Sequence, residues 1–354
     1  MLFSRNRNLV GLDIGTSAIK AVELKDLGKG RGYRLVSVGM EPLTPEAIVD
    51  GSIMDSSMVV EAIQNLFTNN KIKSADVAIS LSGHSVIIKK ISLPQMTPEE
   101  LAESIQWEAE QYVPFDMDDV NIDYQVLEGL SAAGEGNMDV LLVAVKKDKI
   151  NDYTSVISQA GKSALLADVD VFALQNAYEV NYDAGGEELV ALVNIGASVT
   201  NITILKNGSS IFWRDISIGG NYYTDALQKE LDLTFEQAEA AKKGESTDPP
   251  QDRVAPIIDA VNEQVGSEMQ KTLDFFKATS SSDPITKICA TGGATRTLHL
   301  TPYLGQRFEV PVEMMDPFRR IRVQDRAFPP ERLEPMMASA TVAVGLALRK
   351  VGDK

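Results

Sequence analysis

The sequence predicts an α/β protein built from two related halves, with a smaller mixed unit inserted in the first. Three observations predict it. Residues 10–25 read VGLDIGTSAIKAVELK and residues 191–206 read ALVNIGASVTNITILK, so that Ile14, Gly15, Ser17, Leu24 and Lys25 recur as Ile195, Gly196, Ser198, Leu205 and Lys206, each 181 positions on. Around both copies, strand-like and helix-like segments alternate, as in a layered α/β domain. Between them, residues 85–165 read β-α-β-β-α-β, a small split βαβ unit.

Residues 10–24 form an apolar hairpin with Gly and small hydroxyl residues in its turn, and 33–40 follow as a strand. Residues 56–69 put Val59, Val60, Ile63, Leu66 and Phe67 on one helical face. Residues 74–81 read as a buried strand. In the inserted unit, 86–93 is a strand closed by Pro94. Thr97-Pro98-Glu99-Glu100 then starts a helix with a hydroxyl cap, Pro in the first turn and acids near the positive end of the dipole. That helix runs to about Tyr112 and stops before Pro114. Strands at 121–127 and 139–145 flank the loop GLSAAGEGN, and a helix at 147–159 leads into a strand at 164–169.

The second half restarts at Glu188. After its hairpin comes a strand at 209–218 ending in Gly219-Gly220, then helices at 222–231 and 234–243, and a loop at 245–252. A long helix at 253–279 tolerates Gly266 and precedes the loop SSSDP. A strand at 285–290 ends in Thr291-Gly292-Gly293, and 336–351, small and apolar, reads as a buried helix.

The 354 residues suffice for two domains. A net charge of −16 argues against general binding to nucleic acid or anionic lipid, because no phosphate-neutralising excess exists. The single cysteine, Cys289, excludes an intrachain disulfide, reads as a small buried hydrophobe and fits a cytosolic chain. His84 and His299 lack ligand-like spacing. The start MLFSRNRN has no signal-peptide core, and no stretch approaches a membrane span. Leu2, Phe3, Arg5 and Arg7 read as a frayed terminus in preference to a membrane contact.

Chemistry concentrates in the repeat. In Asp13-Ile-Gly15-Thr16-Ser17-Ala-Ile-Lys20, Gly15 permits a tight turn and Thr16 and Ser17 offer hydroxyl and N–H groups to phosphate oxygens. Asp13, at a strand end, could hold Mg2+ directly or through water. Lys20 either offsets phosphate charge or points to solvent. Alone, this loop is no more than a hairpin turn. The second loop, Asn194-Ile-Gly196-Ala197-Ser198-Val-Thr200-Asn201, keeps Gly and Ser but replaces the acid with an amide, a poorer metal ligand. Two loops facing each other across an anion account for the duplication.

Three further segments fit. Gly219-Gly220 allows close backbone approach to a terminal phosphate, or is a plain turn. Glu239, Lys242 and Lys243 share a helix face at i, i+3 and i+4, the spacing of an exposed ion pair. Gly292-Gly293-Ala294-Thr295-Arg296 is a strand-to-helix junction that a flat base or ribose can approach. Arg296 either stacks on the base or is an ordinary surface residue.

The order DxGT, acidic connector, xIGA, GG, ExxKK and GGATR resembles the actin-like ATPase superfamily of actin, sugar kinases and chaperone ATPases. The resemblance implies two ribonuclease-H-like halves that clamp ATP·Mg2+. Phosphate loops are implied at 13–20 and 194–201, with adenosine contacts from Glu239, Lys242, Lys243, Gly292, Gly293, Ala294 and Arg296. In the connector Ala167-Asp168-Val-Asp170, Asp170 is similar by position to the superfamily's acid that positions water or metal. Asp168 is the less favoured alternative, and a solvated linker acid is an equal one. On this reading Asp13 and Asp170 are the catalytic and metal-holding acids. Residues 339–348 resemble the second connector helix, at a hinge.

The inserted unit precedes the connector, a placement similar to FtsA-type proteins. The segments QWEAEQYVPF (106–115), LVNIGASVTNITIL (192–205) and RDISIGGNYYT (214–224) resemble the PilM family of type IV pilus assembly proteins, and the likeness covers nearly the whole chain. It implies a first domain at 1–84, an FtsA-like inserted subdomain at 85–165, a connector at 166–186, a second domain at 187–335 with a helical part at about 221–284, and a returning helix at 336–354. It also implies a cytoplasmic ATP-binding scaffold, peripheral to the inner membrane through partners, that binds the cytoplasmic N-terminal tail of PilN. Other pilus inner-membrane and motor components and self-association are further implied contacts. The implied peptide groove lies between the first domain and the inserted unit, with walls at 86–93, 97–112 and 113–115, although Leu101, Ile105 and Ala109 read as core. Asn194 departs from the Asp of actin and chaperone ATPases, which implies slow hydrolysis. A filament-forming FtsA-like division protein is the alternative, against which the end at Val351-Gly-Asp-Lys354 leaves no room for a membrane-anchoring helix. A sugar kinase would need a sugar pocket with a dedicated base, which nothing in the inserted unit suggests.

Overall fold

The computed structural model describes residues 9–127, 136–183, 185–186, 188–280 and 283–353. The starting segment MLFSRNRN, nearly all of the loop GLSAAGEGN and two serines of SSSDP lie outside the described residues. In the first half, β1 (Val10–Ile14) turns into β2 (Ala18–Asp26), followed by β3 (Tyr33–Pro42), a ribbon of β4 (Ile48–Val49) and β5 (Ser52–Ile53), α1 (Ser56–Asn69) and β6 (Asp76–Leu81). The chain leaves for β7 (Val86–Pro94), α2 (Pro98–Glu110), β8 (Val120–Val126) and β9 (Asn137–Lys146), and returns with α3 (Lys147–Gln159), β10 (Ser163–Val169) and α4 (Asp170–Asn181). The second half begins with β11 (Leu189–Ile195), β12 (Thr200–Lys206), β13 (Ser209–Ile216), α5 (Gly220–Leu231), α6 (Phe235–Lys242) and α7 (Gln251–Thr279). It closes with β14 (Ile285–Thr291), α8 (Leu300–Phe308), β15 (Val312–Met314), α9 (Pro330–Met337) and α10 (Thr341–Ala347).

The duplication extends well beyond the hairpins. The first sheet runs β3-β2-β1-β6-β10 and the second β13-β12-β11-β14-β15. Each begins with a three-strand antiparallel meander and adds two parallel strands. The parallel strands arrive after helices, the crossover that parallel pairing requires. Alternation along each strand sorts side chains between two layers. Val10, Leu12 and Ile14 face α1 and α3, and Ala191, Val193 and Ile195 face α5 and α7. Leu9, Val190 and Leu192 face the other way, into a core built around α4 and α10 between the two sheets. There the backbones touch: a Cβ on Gly11 would overlap the backbone of α10, and one on Gly345 the backbone of α4. Cys289 is fully buried in this core, and burial pushes its thiol up to about 11.

Two expectations are corrected. The six-element unit at 85–165 is divided. Only β7-β9-β8 form the small sheet, with α2 supplying Leu101, Ile105 and Ala109 to its core as read from the sequence. β10 instead pairs with β6, from Ser163 opposite Asp76 to Val169 opposite Leu81, and Tyr153, Val156 and Ile157 of α3 join the core of α1. The buried helix at 336–351 is also broken, by a 3-10 turn at Ala338–Ala340. Here the Ala338 carbonyl is turned to the end of β14, accepting from Gly292 N at 2.8 Å and Thr291 Oγ1 at 2.8 Å.

Candidate functional site

The tips of the β1–β2 and β11–β12 hairpins meet across the joint between the halves. Each turn closes identically, Gly15 N donating to Ala18 O at 3.2 Å and Gly196 N to Val199 O at 3.0 Å. Ser198 Oγ donates to Thr16 Oγ1 at 3.1 Å, linking one tip to the other. Around this contact lies a cavity of ≈ 120 Å³ lined by Asp13, Gly15, Thr16, Ser17 and Lys20 from one hairpin and Asn194, Gly196, Ala197, Ser198 and Asn201 from the other, together with Asp170, Gly292 and Gly293. Among the described residues, the N–H groups of Thr16, Ser17, Ala197 and Ser198 have no protein acceptor.

The cross-strand pair below each tip differs. Asp13 faces Lys20 in the register, and the two form an ion pair at 3.1 Å, each 15% exposed. Lys20 therefore lines the cavity rather than pointing to solvent. Asn194 faces Asn201, donating Nδ2–H to its Oδ1 at 2.8 Å. Asn201 passes its own Nδ2–H to Asp215 Oδ1 at 2.8 Å, and Asp215 Oδ2 accepts Gly83 N–H of the first half at 2.9 Å. An acid at 194 would put two acceptors face to face, so the amide suits this relay.

The two connector acids separate. Asp170, at the start of α4, lines the cavity, accepts Ser80 Oγ–H at 2.5 Å, and is pushed up to about 6 by burial and by the Asp13 charge. Asp168 turns away to Arg349 at 3.5 Å.

Other expected site residues stand outside the cavity. Gly220 N donates to Gly196 O at 2.9 Å and Asn221 N to Ala197 O at 2.8 Å, while a Cβ on Gly219 would come within 2.6 Å of Gly196 O. The close approach these glycines permit is thus to the second loop itself. Glu239, Lys242 and Lys243 are not a surface pair. The Lys242 side chain is 6% exposed and donates to Glu239, to Thr224 Oγ1 at 2.9 Å and to Gly220 O at 3.3 Å, tying α6 to the start of α5. Lys243 adds a 3.2 Å pair to Glu239. Burial opposes the Glu239 charge, yet Lys242 beside it holds the carboxyl below the usual range. Arg296 ends the 3-10 turn Gly293–Arg296, with Ala294 buried within it, and pairs with Glu245 at 2.7 Å on the surface. Among the described residues no group of three or more His, Cys, Asp or Glu is placed to hold a metal.

The family model for the type IV pilus assembly protein PilM matches residues 11–351. The chain belongs to the PilM family. Its structure also resembles a solved PilM-PilN type IV pilus biogenesis complex chain at TM-score 0.87 and 25% identity, over 98% of this chain and 100% of that one. The MreB5 of Spiroplasma citri bound to ADP is 12% identical, at TM-score 0.51 over 95% of this chain and 94% of that one. The fold is accordingly the actin-like ATPase fold. The cell division protein FtsA of Staphylococcus epidermidis is 24% identical over 66% of this chain and 53% of its own length. The chain spans about half the length of the curated relatives it matches. No helix among the described residues of this PilM-family chain is long and apolar enough to cross a membrane.

Sequence reasoning missed Ser80, Asp215, Lys149 and Tyr153. Ser80, Lys149 and Tyr153 line the cavity, and Asp215 ends the amide relay. Lys149 carried one readable signal. It stands one helical turn before Tyr153 and two before Val156 and Ile157, on the buried stripe of α3.

Proposed function

We propose that this PilM-family chain is an ATP-binding scaffold of the pilus machinery at the inner membrane, which grips the cytoplasmic N-terminal tail of PilN. One observation carries the nucleotide part: two hairpin tips aim N–H groups without acceptors across a cavity that also holds Asp13, Lys20 and Asp170. Such clustered backbone donors fit phosphate oxygens. Asp13 and Asp170 would hold Mg2+ jointly with those oxygens, the usual arrangement for a cation that keeps few protein ligands. Bound there, the cation neutralises phosphate charge. Asn194 leaves the second loop neutral, and this supports slow hydrolysis and a role for ATP in holding the halves closed.

The peptide part is supported by a second cavity of ≈ 270 Å³ between two sheet edges. β7 is an edge strand of the small sheet and β13 an edge strand of the second large sheet. Val86, Ile87, Ile88 and Lys89 line one side, Trp213, Arg214 and Asp215 the other, and Trp213 Nε1 donates to Ile88 O at 3.1 Å. Extended peptides add to such edges through main-chain hydrogen bonds. Of the three walls expected, only the β7 strand lines this groove, and beside the first domain's Leu81, Ser82 and Gly83 its far wall comes from β13 of the second half, which was not expected. The fold neighbour solved as a PilM-PilN complex supports the choice of peptide.

The test is titration of the purified chain with Mg·ATP and, separately, with a PilN-tail peptide. Binding of both is expected. ATP-dependent sedimentable filaments without peptide binding would favour an FtsA-like role instead, and phosphorylation of a sugar would sink both.

A further inference from the structure

Among the described residues, Lys149 is a buried cation that lacks a counter-ion. It stands in the first turn of α3, is 8% exposed, and lines the cavity between the hairpin tips. Its ammonium donates to Gly51 O and to Tyr153 Oη at 3.3 Å, both neutral acceptors. Lys20 differs, because Asp13 already neutralises it. Among the described residues no carboxylate lies within ion-pair distance of Lys149. Asp170, Asp152 and Asp148 act on it only from farther off, Asp170 most strongly. Buried charges normally meet a partner, since desolvation is costly and only a close opposite charge offsets it. Burial alone pulls this ammonium below the usual lysine range. An ammonium has three N–H groups, and the two neutral acceptors leave one for a ligand.

We propose that Lys149 binds the last phosphate of a nucleoside triphosphate and makes the cavity prefer triphosphate to diphosphate. This rests on the nucleotide reading of the cavity. Asp170, the charge that acts on Lys149 most strongly, is also one of the two acids proposed to hold Mg2+ with the phosphate oxygens, so Lys149 and the cation would meet the same end of the ligand. The alternative is structural: Lys149 and Tyr153, whose hydroxyl reaches Gly51 O at 3.1 Å, simply pin the Asp50–Gly51 turn.

The test is calorimetric titration of the full chain, wild type and two variants, with Mg·ATP and with Mg·ADP. Lys149→Gln keeps a donor for Gly51 O but removes the charge, and Lys149→Arg keeps the charge. Lys149→Gln is expected to lose about 10- to 100-fold in Mg·ATP affinity, the range of a charged hydrogen bond, with Mg·ADP affinity changed less than about 3-fold. Lys149→Arg is expected to retain the triphosphate preference. Equal losses for both nucleotides, or no loss in Lys149→Gln, would overturn the proposal while leaving the nucleotide reading intact. If wild type binds neither nucleotide, that reading fails first and the proposal with it. If Lys149→Gln does not fold, Lys149→Arg decides: loss of the triphosphate preference in a folded arginine variant counts against a charge-based role.

Discussion

The two hairpin loops share a backbone and differ in chemistry. Both close on the same Gly N–H to carbonyl bond and both pair the same register positions below the tip. In the first loop that pair is ionic, Asp13 with Lys20. In the second it is an amide pair whose polarity runs on to Asp215 and the first half's Gly83. On the proposed nucleotide reading the same backbone would cradle an anion twice, and side chains would decide what each cradle does with it. A loop whose acid is paired only within its own hairpin suits a metal, whereas a loop wired to the opposite half suits a sensor of closure.

The largest expected effect tests whether the second loop is the more tightly braced. Gly83 and Gly292 occupy equivalent places, each just past the second-to-last strand of its sheet, and both have positive φ, +81° and +94°. A Cβ on Gly83 meets nothing, but one on Gly292 would come within 2.6 Å of Asn194 Oδ1 and closer still to Ile195 O. Gly292→Ala should therefore cost about 2–4 kcal/mol, strain plus overlap. Gly83→Ala should cost about 1–2 kcal/mol for left-handed strain alone. Urea unfolding of both variants checks the ranking, and equal costs would remove the claimed asymmetry.

Next comes the amide itself. Asn194→Asp sets a carboxylate against Asn201 Oδ1, and flipping Asn201 would only move the conflict to Asp215. A loss of about 1–3 kcal/mol at pH 7 is expected, for one buried polar contact broken. Adding Asn201→Lys should restore much of it by rebuilding the first loop's ion pair, and a double-mutant cycle measures that coupling. On the proposed slow hydrolysis, Asn194→Asp should also raise ATP turnover; sustained turnover by wild type with no gain in the variant would count against it.

Most elements were legible because their signals are local. Helices at 56–69 and 147–159 follow from apolar spacing, and the hairpins from alternation around Gly and hydroxyl residues. What stayed hidden depends on partners far along the chain. Nothing in residues 163–169 marks them for β6 rather than for the small sheet, because parallel pairing has no turn to announce it. The 297–335 segment, with α8 and β15, carried no clear period. In the site, the hairpin residues were readable from the repeat, whereas the residues of the connector left Asp170 balanced against a solvated linker acid and only the superfamily resemblance pointed to it. The burial of Lys242 was not, since ExxKK on a helix looks the same whether its face meets water or another helix. Nor was Asp215, whose partner Gly83 is far away in sequence.

A smaller effect concerns Asp170, the acid on the first loop's side. Its pKa is raised from 3.8 to about 6, so the folded state holds the proton more tightly than the unfolded one. Stability from this group is therefore present below pH 4 and lost as pH rises to about 6, opposite to a salt-bridged acid. Asp170→Asn should stabilise the chain at pH 7 by about 1–2 kcal/mol, and the gain should vanish by about pH 4. Thermal melts across that range read it. A variant less stable than wild type at pH 7 would mean that Asp170 has a favourable charged partner in the fold.

The smallest effect compares duplicates. Ser17 and Ser198 are equivalent in the repeat, but only Ser198 has its hydroxyl engaged, with Thr16 at 3.1 Å and Asn221 Nδ2 at 3.3 Å. Ser198→Ala should cost about 0.5–1.5 kcal/mol, one ordinary hydrogen bond, whereas Ser17→Ala should stay within about 0.5 kcal/mol of wild type, as exposed substitutions do. If both hydroxyls also meet phosphate, the two variants should lose similar amounts of Mg·ATP affinity despite that difference in stability. Calorimetry and unfolding on the same two proteins separate the roles. A Ser17→Ala variant with unchanged stability and unchanged nucleotide affinity would leave the Ser17 hydroxyl without a part in the cradle, and would assign the first tip's grip to its backbone N–H groups, the Thr16 hydroxyl and Lys20.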